Sequence, residues 1–196
     1  MDRLLCAASH FARIRCYAAE KKGEQMIIRL SEKLNAKIKA GDLPSLPLDE
    51  NPFADWSGNL FVADRTQFIL VTNTKSLYST ILFGRGVTDD GIFIDHALST
   101  LREFMQYDGQ EFVYRRFIAP ASGTVRFAKP LDRSVTASMN DLIFHAKAWL
   151  IEGELSPFDV ACKLNDIPLS SLKFAKPREV FKALHVAQPA NEGNEA

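Results

Sequence analysis

Asp141 and His145 stand four residues apart, and of all the pairs in this sequence they are the one best suited to moving a proton. Residues at i and i+4 of a helix are neighbours. A carboxylate beside an imidazole orients the ring and raises its basicity, which is what general-base catalysis uses. These two are the candidate catalytic residues of a hydrolase-like reading. A second set, Asp55, Trp56, Asn73, Ser138 and Asn140, offers a ligand site, with Trp56 as an apolar wall and the polar side chains as orienting groups. For a single site, Asp55, Trp56 and Asn73 must converge with Asp141 and His145 on one side of a sheet. The competing reading is structural: a helix cap with its aspartate partner, and a histidine at the rim of a core stripe, need no function.

Other chemistries lack their spacing. There is no C-x-x-C and no H-E-x-x-H, and the four histidines are scattered, so no metal is expected. Gly84-Arg85-Gly86 has neither the length nor the Lys-Ser/Thr pair of a phosphate-binding loop. No G-x-S-x-G elbow occurs, and no cofactor is expected.

The candidate pair needs a helix under it. From Met139 the apolar residues Leu142, Ile143, Ala146, Trp149 and Leu150 recur at helical spacing, a core stripe with Trp149 as its anchor. Ser138 with Asp141 three residues on has the pattern of a capping box, which predicts a helix start at Ser138. Ser138, Asp141, His145 and Glu152 then share one flank. Upstream, 27–30 reads as a strand and Ser31 caps a helix to about Ile38, closed by Gly41. Pro44, Pro47 and Pro52 mark an irregular connection. Runs at 60–63, 68–72 and 77–83, joined by short polar links, predict an antiparallel meander. Thr88 or Asp89 caps a helix over about 91–107 with Ile94, Ala97, Leu98, Leu101, Phe104 and Met105 inward. Residues 111–119 and 125–128 read as strands. Ser156-Pro157-Phe158-Asp159 opens a short helix that Pro168 closes, and Pro177 begins a last one to about Leu184. The fold class is α+β: an antiparallel meander sheet packed by two main amphipathic helices, with short C-terminal helices.

The chain has 196 residues, 46% of them hydrophobic, enough for one domain with a sizeable core. Its 24 Lys and Arg balance 24 Asp and Glu, so no overall field draws in nucleic acid or an anionic membrane. The segments Arg126-Phe127-Ala128-Lys129-Pro130 and Lys173-Phe174-Ala175-Lys176-Pro177 echo each other. With Arg115 and Arg116 they allow a weak nucleic-acid surface, although solvated basic edges are the plainer reading. No apolar run reaches the roughly 20 residues of a membrane span, and three scattered cysteines fit a reducing, cytoplasmic setting. Residues 1–25 carry no core stripe. The codons that Lys22-Gly23-Glu24-Gln25 permits include a purine-rich ribosome-binding sequence just before Met26, so the expected domain is 26–186. Residues 1–25 would then be a leader and 187–196 a disordered tail.

Asp55-Trp56 with Asn59, Thr72-Asn73, Tyr78-Ser79, and above all Arg133-Ser134-Val135, Ser138-Met139-Asn140-Asp141 and His145-Ala146-Lys147 carry a resemblance. On these residues the chain resembles, from Met26 to about Lys173, a family of bacterial and phage proteins grouped as a domain of unknown function. Ala137 departs from the glycine expected there, so a tight backbone approach at that point is not implied. The resemblance implies an α+β fold and a bacterial source, and brings no activity with it. The expected function is therefore a small binding or interaction domain for an unidentified ligand or protein partner. The alternatives are the hydrolase-like enzyme and the weak nucleic-acid binder.

Overall fold

A computed structural model describes residues 25–152 and 155–186. Its centre is a five-stranded sheet in the order β4-β3-β2-β1-β5, built from β1 (Met26–Leu30), β2 (Asp55–Ala63), β3 (Thr66–Asn73), β4 (Ser79–Phe83) and β5 (Val125–Ala128). β2, β3 and β4 form the expected antiparallel meander. The sheet as a whole is mixed, because β1 pairs parallel with both β2 and β5. The pure meander is thus corrected: short links join only β2 to β4. The strands on either side of β1 are reached by the long crossovers that parallel pairing requires.

Strand alternation divides the core in two. On one face Met26, Ile28, Leu30, Trp56 and Val71 meet α1 (Glu32–Ile38), α2 (Asp90–Tyr107) and Phe181 of α6 (Pro177–Lys182). On the other face Phe61, Phe68, Leu70 and Ile81 meet α4 (Arg133–Glu152) through Met139, Leu142, Ile143 and Ala146. α5 (Pro157–Leu164) joins that second cluster through Val160 and Leu164, while its Ala161 and Phe158 touch the first. α5 therefore runs along the β4 edge, which it shields from stray pairing. Asn165 at its end completes the seal: its amide oxygen accepts from Ser79 N–H at 2.8 Å, and its Nδ2 donates to Ser79 O at 2.7 Å and to Ala161 O at 2.9 Å. Gly58 lets α1 seat closely on β2, since a Cβ there would lie 2.8 Å from Leu34 Cδ2.

Several expected boundaries move. Residues 111–119 are not a strand but a short helix, α3 (Glu111–Val113), running into a π turn, Tyr114–Ile118. Val113, Tyr114, Phe117 and Ile118 all reach the first core cluster, a helical spacing that poor strand alternation concealed. α4 begins at Arg133 rather than Ser138. Asp132 supplies the cap, its Oδ1 accepting from Val135 N–H at 2.8 Å. Ser138 lies buried within the helix and donates to Ser134 O at 3.0 Å, so no Ser138/Asp141 capping box forms. α1 ends on Lys39, held left-handed at φ 58°, two residues before Gly41. The Ser156/Asp159 capping box does form at α5, and Asp89 caps α2. The leader assigned to 1–25 falls, but for Gln25, outside the described residues, as does the tail 187–196.

Candidate functional site

Asp55 and Asn73 meet, but in a buried polar knot. Asp55 opens β2 and receives Arg29 of β1 in a two-pronged ion pair, Nε–Oδ1 at 2.8 Å and Nη2–Oδ2 at 2.7 Å, with the two side chains 0% and 1% exposed. The remaining guanidinium donors reach Leu46 O, Pro47 O and Lys129 O. Asp49 N–H adds a bond to Asp55 Oδ2. Beside it, the Asp49 carboxyl is held above its ordinary pKa of 3.8, first by burial, with the charge of Asp55 pushing the same way. Asn73 donates to Pro52 O and Asp55 O and accepts from Lys75 N–H, Ser76 N–H and the Ser76 hydroxyl. Trp56 lies in the core with its indole N–H on Phe53 O at 2.8 Å. These partners tie the Pro-rich connection to the sheet and are enough to account for all three residues.

Asp141 and His145 sit elsewhere, on the outer flank of α4, and both are exposed. No hydrogen bond or ion pair joins them. The His145 ring instead lies 5.7 Å from Phe144 and 5.9 Å from Trp149. Trp149 is half-buried, with Lys163 Nζ 5.4 Å above its ring, and so is not the buried anchor expected of it. Trp56 points into the core on the face opposite α4. The five residues expected to converge are therefore divided between the knot, the opposite core and the solvent flank.

A different stripe of α4 makes a site. Thr136, Asn140, Ile143 and Lys147, at i, i+4, i+7 and i+11, line an open cleft of about 610 Å³. Its far wall is Asn59 to Val62 of β2, and its end is Ser31, Glu32 and Lys33 at the start of α1. A small cavity of about 30 Å³ adjoins it, bounded by Ser57, Arg29 and Met139 and sharing Ser31, Asn59, Pro130 and Thr136 with the cleft. Among the described residues the amides of Asn59 and Asn140 and the ammonium of Lys147 have no hydrogen-bond or ion-pair partner. Leu60, Phe61 and Ile143 supply apolar surface between them. Lys33 and Lys147 against Glu32 leave the lining net positive. Of the residues chosen from sequence, only Asn140 lies here. Asn59 and Lys147 belong to the motifs that carry the resemblance; for Lys147 the signal is a second helical stripe, with Thr136 and Asn140, beside the core stripe, whereas no periodic pattern marks Asn59 on β2.

The basic candidates do not form one surface. Lys129 follows β5 at one edge of the sheet, whereas Lys173 and Lys176 follow α5, which packs on β4 at the other. Arg115 pairs with Glu111. Among the described residues no group of three or more His, Cys, Asp or Glu could hold a metal ion, and no helix is long and apolar enough to cross a membrane.

With this geometry in place, the sequence comparison identifies the family. The chain belongs to the domain-of-unknown-function family DUF6933, whose model matches residues 27–180. No curated protein matches it.

Proposed function

We propose that this chain is a binding domain that takes a small polar ligand bearing an anionic group in the cleft between α4 and β2. One observation carries the reading: Asn59, Asn140 and Lys147, three polar side chains with no partner among the described residues, line a single cleft. Amides orient a ligand through paired donors and acceptors. The lysines supply the charge, and Phe61 with Ile143 supplies the apolar contact that small-molecule sites combine with a few placed polar groups. Asp141 and His145 are unbonded to each other and lie outside the cleft, so the reading does not use them as a catalytic pair.

The test is a thermal-shift screen of the full chain against phosphate monoesters, nucleotides and dicarboxylates, repeated with Asn140→Ala and Lys147→Ala. Compounds that raise the Tm of the parent are expected to lose that effect in both variants, whose unliganded Tm stays near the parent's. A panel that shifts nothing, or shifts parent and variants alike, overturns the proposal.

A further inference from the structure

The cleft between α4 and β2 leads into the small cavity, and the two spaces offer different chemistry. Ser57 and Gly58 of β2 line the cavity with Val135 and Met139, whereas Leu60 to Val62 line the cleft with Ile143 and Lys147. β2 and α4 therefore advance together from the cavity outward. Thr136 to Lys147 covers roughly 16 Å at ~1.5 Å per residue of helix, and Ser57 to Val62 covers about the same at ~3.3 Å per residue of strand. Asn59 and Thr136 line both spaces and mark their junction, with Asn140 about one turn further along α4. Read outward, the channel offers an apolar end, two amides, an apolar stretch on Phe61 and Ile143, and an ammonium.

The cavity is closed to charge. Arg29 lines it, but its guanidinium donors are already bonded to Asp55, Leu46 O, Pro47 O and Lys129 O. Ser57 Oγ is paired with Thr74 Oγ1 at 2.9 Å. An anion drawn in would give up its water for no free guanidinium donor, which is costly. Val135, Met139 and Pro130 supply apolar wall, and the volume is about 30 Å³. That is room for one or two water-sized groups, so a methyl or an ethyl fits and a ring does not. We propose that the cleft, on the reading that it binds a small anionic ligand, selects a linear short-chain acyl amide of an ω-amino acid. The methyl or ethyl of the acyl group fills the cavity, the amide lies between Asn59 and Asn140, the methylene spacer covers Phe61 and Ile143, and the carboxylate meets Lys147. An amide has one donor and one acceptor face, and an asparagine side chain matches both. Such a ligand with a six-carbon acid spans about 10 Å when extended, and the flexible Lys147 stem covers the remainder.

The probes are 6-formamido-, 6-acetamido-, 6-propanamido- and 6-benzamidohexanoate, titrated into the full chain by NMR while the Asn140 side-chain amide and the Val135 and Met139 methyls are followed. The acetyl compound is expected to bind about fourfold tighter than the formyl one, the gain from burying one more carbon. The propionyl compound binds at least as tightly as the acetyl one, and the benzoyl compound about tenfold more weakly or worse, because it overfills the cavity. The Val135 and Met139 methyls shift with the acetyl and propionyl compounds. Equal affinities across the series, or tightest binding by the benzoyl compound, with the Asn140 amide shifting while Val135 and Met139 stay unmoved, overturn the inference and leave the cleft reading standing: the cavity then holds water only. No shift at any of these groups with all four compounds also overturns it, and the cleft reading is then decided by the phosphate and nucleotide arms of the thermal-shift screen.

Discussion

Arg29, Asp55 and Asn73 show how a side chain that looks like a ligand contact can be consumed by the fold. Every guanidinium donor of Arg29 finds an acceptor, and the Asp55 carboxylate is bonded at both oxygens. Removing one member leaves the other charged and buried, so Asp55→Ala is expected to cost about 3–5 kcal/mol in urea unfolding. A loss below about 1 kcal/mol would mean that the pair is wet and the knot incidental. Tyr78 gives the fold a pH dependence. Burial, its first cause, lifts the phenol above its ordinary pKa of 10.0, against the opposing pull of Arg178. Its hydroxyl donates to Asp108 Oδ2 at 2.9 Å. The folded state thus holds the phenol proton more tightly than the unfolded chain. The associated stability is intact below pH 10 and is lost as pH rises beyond it toward the folded pKa. Unfolding midpoints should therefore fall from about pH 9 to pH 11, and Tyr78→Phe should flatten that limb; an equally steep limb in the variant assigns it to other groups.

At the scale of elements, a helix start and a strand edge each depend on one residue outside the periodic pattern. Asp132 caps α4 seven residues ahead of Met139, where the apolar stripe begins. Asp132→Ala is expected to cost about 1 kcal/mol, the usual loss of a cap. Ser138→Ala should change stability by less than about 0.5 kcal/mol, because its hydroxyl only back-bonds its own helix. The reverse ranking would restore Ser138 as the helix start. Asn165 is more consequential: one amide serves both the N–H and the carbonyl of Ser79. Asn165→Ala strands two buried backbone groups and should cost about 2–4 kcal/mol, with hydrogen exchange rising first in β4. Neither role was legible in the sequence, since a cap or a clip is defined by partners that hydrophobic periodicity does not report. Periodicity does report the α4 core stripe from Met139 to Ala146, the α5 capping box and the β2–β3–β4 meander, whereas Trp149 and Leu150 are only half-buried. The α2 stripe turns by about one residue, burying Phe93 and leaving Ile94 and Leu98 half-exposed.

Across the whole molecule, the separation between the knot and the cleft is what one chain of residues could not disclose. Asp55, Trp56 and Asn73 lie close in sequence to strand ends, and Asp141 and His145 lie on a helix that packs the sheet, so convergence on one site was a fair expectation. Which face the helix covers, and how far along the sheet, is set by the crossovers flanking β1, and their course leaves no mark in any local pattern. Polar residues near a strand end are as well suited to tethering a proline-rich connection as to holding a ligand, and here Asn73 tethers it through Pro52 O. The same reasoning separates two experiments that a single converged site would have merged. Asn73→Ala removes the acceptor shared by Lys75 and Ser76 and the donors to Pro52 and Asp55. It should lower stability by about 3 kcal/mol while leaving the thermal shift given by a cleft ligand at its parent size. Asn140→Ala, on the exposed rim of the cleft, should do the opposite, abolishing the shift at nearly unchanged stability. The double variant is expected to show the sum of the two effects, since groups that share no partner add. If Asn73→Ala alone abolished ligand binding in chains still folded at the assay temperature, the knot and the cleft would be one site, and the ligand would reach the sheet end where Asp55 and Asn73 meet.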